Sequence, residues 1–115
     1  MEAMNVGKRD IAITIPRNIR WEDYQRELDA VRDWKSTMYF KVANLPVNTE
    51  VGRKCWLCYN DELIGWMIIV GMHEGEFTCD TTGKRWNGKF IARSGPFHRL
   101  VHPVPMKGFR GFRYL

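Results

Sequence analysis

The chain is poor in the features that would commit a protein of 115 residues to a specialised class. Only three cysteines occur. An odd number cannot pair fully within one chain, and this usage fits a reducing, cytoplasmic setting better than a disulfide scaffold. The longest apolar run, Leu63 to Gly71, falls well short of the roughly 18 residues that a membrane span needs. No basic segment followed by a greasy stretch and a small-residue cleavage site opens the chain, so no signal peptide and no membrane partner are expected. Repeats, low-complexity tracts and Ser/Gly/Pro linkers are missing too. The expected organisation is a loose segment over residues 1–9 and a single domain over 10–115.

The most informative shortage is of acids. All 13 lie at or before Asp80, where they face ten Lys and Arg for a net charge of −3. Residues 81–115 hold no acid, eight bases and six aromatics, for a net charge of +8. A positive field without local counter-charge concentrates polyanions, and Arg beside aromatic rings can stack on bases. The competing reading is that acids from the first 80 residues fold back and neutralise these bases.

Hydrophobic periodicity supplies the fold class. Ile11, Ile13 and Ile15 alternate with Ala12 and Thr14, a strand closed by Pro16. Trp21, Tyr24, Leu28, Val31 and Trp34 stripe one side of a helix that Asn18 is placed to cap, with Glu22 and Asp23 in its first turn. Met38, Phe40 and Val42 alternate with Tyr39 and Lys41 in a second strand. Residues 53–59 and 63–72 flank Asn60–Asp61, a two-residue hairpin turn. Gly65 marks a bulge or a close backbone approach. Residues 76–80 and 89–93 read as further short strands, punctuated by Thr82–Gly83 and Asn87–Gly88. From Ser94 onward, Pro96, Pro103 and Pro105 are expected to limit pairing to edges, and residues 108–114 to close the sheet. The expected class is α+β: a small, mostly antiparallel β barrel or strongly curved sheet with one main helix near the N-terminus.

Residues 51–66, with Gly52, Lys54, Trp56, the Asn60–Asp61 turn and the Ile64–Gly65 pair, together with 88–94, resemble the PUA-like superfamily of small pseudo-barrels, which includes the PUA, ASCH and EVE domains. The ASCH subgroup's Gly-x-Lys-x-x-Glu-x-Arg motif is met at Gly52 and Lys54, whereas Leu57 and Tyr59 occupy the Glu and Arg places. The resemblance implies a pseudo-barrel that binds RNA or a nucleobase-like ligand; some members of that superfamily hydrolyse modified nucleosides.

Several constellations invite chemistry. Cys55-x-x-Cys58 with His98-x-x-x-His102 has zinc-like spacings, but residues i and i+3 of a strand face opposite ways, so buried thiols and no metal are expected. No thiol is placed beside an imidazole, and no glycine-rich loop opens a helix to cradle phosphate. No cofactor is expected. Glu74 and Glu76 share one face of an extended stretch beside His73 and are the candidates for a hydrolase reading, although paired surface carboxylates are commonly just solvated.

The expected function is nucleic-acid binding, RNA foremost, through a basic aromatic groove. Lys84, Arg85, Lys89, Arg93, Lys107, Arg110 and Arg113 would position phosphates, and Ser94 would add a hydroxyl beside Arg93. Trp86, Trp66 and Phe109 would offer stacking faces, with Trp21, Trp34 and Trp56 assigned to the core. Two further readings stay open: a small hydrolase of modified nucleosides, and a module whose basic aromatic tail docks an acidic protein.

Overall fold

A computed structural model describes residues 8–78 and 83–115. Among them the order is β1 (Ile11–Thr14), α1 (Trp21–Ala30), β2 (Met38–Val42), β3 (Lys54–Tyr59), β4 (Glu62–Thr78), β5 (Arg85–Pro105) and β6 (Phe112–Tyr114). The strands form one mixed sheet in the order β2-β5-β4-β3-β1-β6, in which β1 and β3 run parallel and the other neighbours antiparallel.

Two long strands give the sheet its curl. β4 and β5 pair from Glu62↔Pro105 to Thr78↔Arg85, with register shifts between Leu63 and Gly65, Trp66 and Ile68, and Ile69 and Gly71. Each shift adds local twist and bends the ladder. The hairpin therefore serves both halves of the sheet: its lower part carries β3 and its upper part carries β2. The sheet curls into a half-barrel, the small α+β pseudo-barrel with one helix that the periodicity anticipates. Tyr114 helps to draw the edges together, because its hydroxyl accepts from the Val47 and Asn48 amides at 3.0 and 3.1 Å, tying the loop after β2 to β6.

The core follows the alternation. Ile11, Ile13, Cys55, Leu57, Met67, Ile69, Ile91 and Met38 face inward, where Tyr24, Leu28 and Val31 from the helix side meet them. A smaller cluster on the outer face joins Ala12, Cys58 and Leu63 to Trp56, Leu100, Met106 and Phe109. Cys55 and Cys58 thus belong to different faces of β3, as the spacing requires. Asn60 and Asp61 both take positive φ (51° and 62°), the geometry of a tight two-residue hairpin. Gly65 is a close approach as well as a bulge: a Cβ there would lie 2.6 Å from Phe97 Cζ and closer still to the His98 carbonyl.

Five expectations need correction. The helix stops at Ala30, and Trp34 sits beyond it at φ 70°, 52% exposed, packed against Gly95 rather than in the core. Arg20, not Asn18, occupies the N-cap, and no side chain caps the helix. The strand expected near residue 76 is the upper end of β4. Asn87–Gly88 is no turn but part of the ladder, opposite Glu76 and Gly75. The strand expected over 89–93 instead runs on to Pro105, and beyond Arg93 it pairs with β4 alone, so Pro96, Pro103 and Pro105 do lie where β5 is an edge. Cys79, Asp80 and Thr82 lie outside the described residues, as do residues 1–7 of the expected loose start. No helix among the described residues is long and apolar enough to cross a membrane.

Candidate functional site

The edges of the curled sheet are β2 and β6, so no ladder joins β2 to the end of β1, and α1 contributes Tyr24 and Glu27 to the seam between them. A cavity of about 350 Å³ occupies this seam, at the lower end of the roughly 300–1,000 Å³ typical of small-ligand sites. Its walls are the end of β1 with the following turn (Ile13 to Pro16, and Ile19), Tyr24 and Glu27 of α1, Met38 to Lys41 of β2, and Trp86 and Arg93 of β5.

Arg93 is the chemically unusual member. Register places it opposite Met38 and on the same face as Ile91, so the alternation that buries Ile91 buries Arg93 to 2% exposure. Its Nη1 donates to Tyr24 Oη at 2.9 Å and approaches Met67 Sδ at 3.8 Å. Its buried Nε has no hydrogen-bond partner, and no carboxylate among the described residues forms an ion pair with it. Burial opposes the guanidinium charge, but Tyr24, Cys55 and Glu27 more than offset it, leaving the pKa above the ordinary arginine value. The same burial pushes the Tyr24 phenol upward, against the pull of Arg93, and lifts the Cys55 thiol to about 11. Buried charges without partners are costly, and each orphaned donor adds to the cost. Arg93 is among the cavity's lining residues, so a ligand there that brings an acceptor suits its guanidinium.

The other expected residues divide among several places. Arg93 and Ser94 are not surface phosphate contacts: both are 2% exposed, and Ser94 Oγ donates to the Ser36 carbonyl at 2.6 Å, which commits it to structure. Trp86 lines the seam cavity and also a second, open pocket with Lys41, Arg85, Asn87 and Phe90. Arg85 is partly neutralised by Glu76 at 2.6 Å, Lys89 lies on the same arm of β5, and Lys84 directly precedes the strand. Arg110 lines a separate pocket with Val42, Ala43 and Asn44. Arg113 lies over the Phe109 ring at 4.7 Å, and the Phe109 amide donates to Thr14 Oγ1. Lys107 is exposed beside Asp61, whose carboxylate accepts from the Gly108 amide and pairs with Arg17; these contacts hold its pKa below the usual value.

The bases of residues 81–115 therefore do not line one groove. Trp66 stands on the outer face, its ring stacked on His98 at 3.9 Å with Lys54 Nζ 4.5 Å from its centre, away from the cavity. Glu74 and Glu76 line a surface pocket with Tyr39, His73 and Phe77, also outside the seam. Sequence reasoning missed Tyr24, Glu27 and Lys41. The signals were a polar-tipped aromatic within the helix stripe, an acid one turn further on, and a lysine in an otherwise apolar strand.

By sequence, the chain matches no family model and no curated protein. By structure it is similar to two crystal structures of ZmASCH from Zymomonas mobilis, one with a tyrosine replaced by phenylalanine and one with a serine replaced by alanine. The first has a TM-score of 0.54 at 12% identity and covers 94% of this chain and 91% of that one. The second has a TM-score of 0.56 at 10% identity and covers 95% and 89%. At this identity the likeness speaks to the fold, and on that ground the chain has an ASCH-type, PUA-like fold.

Proposed function

We propose that this chain binds nucleic acid, RNA foremost, by taking one unpaired base into the seam cavity. The observation that carries the reading is the buried Arg93 guanidinium, whose Nε is unpartnered beside that cavity. A base offers what these walls lack. Its ring edge presents carbonyl and imine acceptors for the arginine fork, and its faces suit the apolar and aromatic lining of Ile13, Phe40 and Trp86. A base held inside a walled cavity must be out of any duplex. The resemblance to PUA-like domains, whose members bind RNA or modified nucleobases, agrees with this reading.

The test is a titration with a labelled, mixed-sequence single-stranded RNA 12-mer and, separately, with the four ribonucleosides, on the wild-type chain and on Arg93→Met. Wild type binds at least one probe at about 50 mM salt, polymer binding weakens as salt rises, and R93M loses about tenfold or more. Equal binding by R93M, or no binding of any probe at low salt, overturns the reading.

A further inference from the structure

The seam cavity shares lining residues with a second space, and what stands between the two bears on the size of the ligand. Lys41 and Trp86 line both the seam cavity and the open pocket on the arm of β5, so the two spaces adjoin across these side chains. Lys41 is exposed and forms no ion pair among the described residues. It is also positioned. Val42 pairs with Lys89 and Lys41 with Phe90, which sets Lys41 beside Gly88. An ideal Cβ on Gly88 would lie 3.0 Å from Lys41 Cε and 3.6 Å from Nζ. The lysine stem thus rests where any larger residue would put a side chain. Gly88 itself has φ 140°, which disfavours such a replacement. Beyond the ammonium group, the open pocket offers the half-buried ring of Trp86 and the amide of Asn87, over a fully buried Phe90.

From this juxtaposition we infer that the ligand is a phosphodiester-linked single strand and not a free base: a base enters the seam, its backbone phosphate meets Lys41, and the neighbouring nucleotide lies in the pocket formed with Arg85, Trp86, Asn87 and Phe90. The inference rests on the proposed base-binding role of the cavity and names the class of ligand for it. An unneutralised ammonium on the cavity wall gains more from a phosphate than from an uncharged nucleoside, which offers it neutral acceptors alone. The aromatic pocket next to it is sequence-tolerant, because every base has a π face. RNA and DNA share this chemistry and are separated by probe.

The experiment compares uridine, uridine 5′-monophosphate and the uridine pentanucleotide, with the adenine and cytosine series and the DNA pentamers alongside. For at least one base, the pentamer binds tighter than its nucleoside by about 5- to 150-fold, the span one added stacked base covers. Lys41→Gln collapses that pentamer-to-nucleoside ratio and lowers the slope of log affinity against log salt by about one. Gly88→Ala, which crowds the lysine stem, lowers the ratio in the same direction. Nucleoside binding with no gain for any pentamer, or a ratio that K41Q leaves intact, overturns this inference and spares the base-binding reading. Absence of binding by every probe defeats both.

Discussion

Replacing Arg93 and Tyr24 together by Met and Phe separates a pair kept for stability from one kept for a ligand. In wild type the buried Nε is an orphan donor, a defect that costs about 1–3 kcal/mol. Arg93→Met removes that defect but strands the Tyr24 hydroxyl, whose partner is Nη1 at 2.9 Å. The two effects are of similar size, so R93M should lie within about 1 kcal/mol of wild type. Tyr24→Phe alone is worse. It leaves Nη1 with the weak acceptor Met67 Sδ at 3.8 Å, and a second orphan on a buried charge costs about 2–3 kcal/mol. The double variant removes both polar groups and keeps most of their volume. Apolar replacement of buried ionic groups is commonly neutral or stabilising, so R93M/Y24F should match wild type or exceed it by about 1–2 kcal/mol. For a domain of this size that is a rise in Tm of roughly 3–6 °C per kcal/mol. Urea and thermal unfolding followed by circular dichroism read all four proteins. If the double variant loses more than about 2 kcal/mol, the pair is a structural asset, and the case for a vacant ligand donor fails.

Three further outcomes follow from the packing. Gly95 has φ 85°, and a Cβ on it would stand 2.7 Å from Trp34 Cε2; Gly95→Ala should cost about 2–4 kcal/mol in urea unfolding, part of it recovered by adding Trp34→Ala. Burial raises the Cys55 thiol to about 11, so its contribution to stability is complete below the ordinary thiol value and fades as pH rises towards the folded one. Iodoacetamide at about pH 8.5 should therefore label Cys55 slowly in the native state and quickly in urea, as read by peptide mass spectrometry, and rapid native labelling contradicts its burial. Asp61 has a lowered pKa through Gly108 and Arg17, so its support for the tail is present above the ordinary value near ~3.9 and is lost as pH falls through the lower folded one. The Gly108 amide resonance should titrate with a midpoint below that ordinary value; a midpoint at or above it refutes the tether.

Much of the scaffold was legible because period and turn chemistry are local. Ile11 to Ile15, Met38 to Val42 and the Asn60–Asp61 turn each carry their structure in a few residues. The merged strands were not legible, because Asn87–Gly88 has the composition of a turn and becomes ladder only through pairing with Glu76 and Gly75 across the hairpin. Trp34 fits the helix stripe by spacing but lies beyond the helix, which ends at Ala30, and takes a positive φ of 70° there. The site was half legible. Trp86, expected to offer a stacking face, lines the seam cavity, whereas the charge of Arg93 points to the surface and its parity with Ile91 points inward. Lys41 was passed over because it lies 40 residues from the basic segment, and only the pairing of β2 with β5 brings it to Trp86. Net charge describes a chain; which bases share a wall is decided by long-range register.

The central claim is that a ligand answers the unpartnered donor of Arg93. The most direct measurement is the Nε–Hε cross-peak of Arg93 in an ¹⁵N-labelled sample, assigned by its loss in R93M and followed as the uridine, adenine and cytosine pentanucleotides are added. The account predicts a protected resonance that shifts on saturation together with the Trp86 indole signal. Saturable binding that moves the side-chain signals of Arg110 and Arg113 and leaves Arg93 untouched would contradict it.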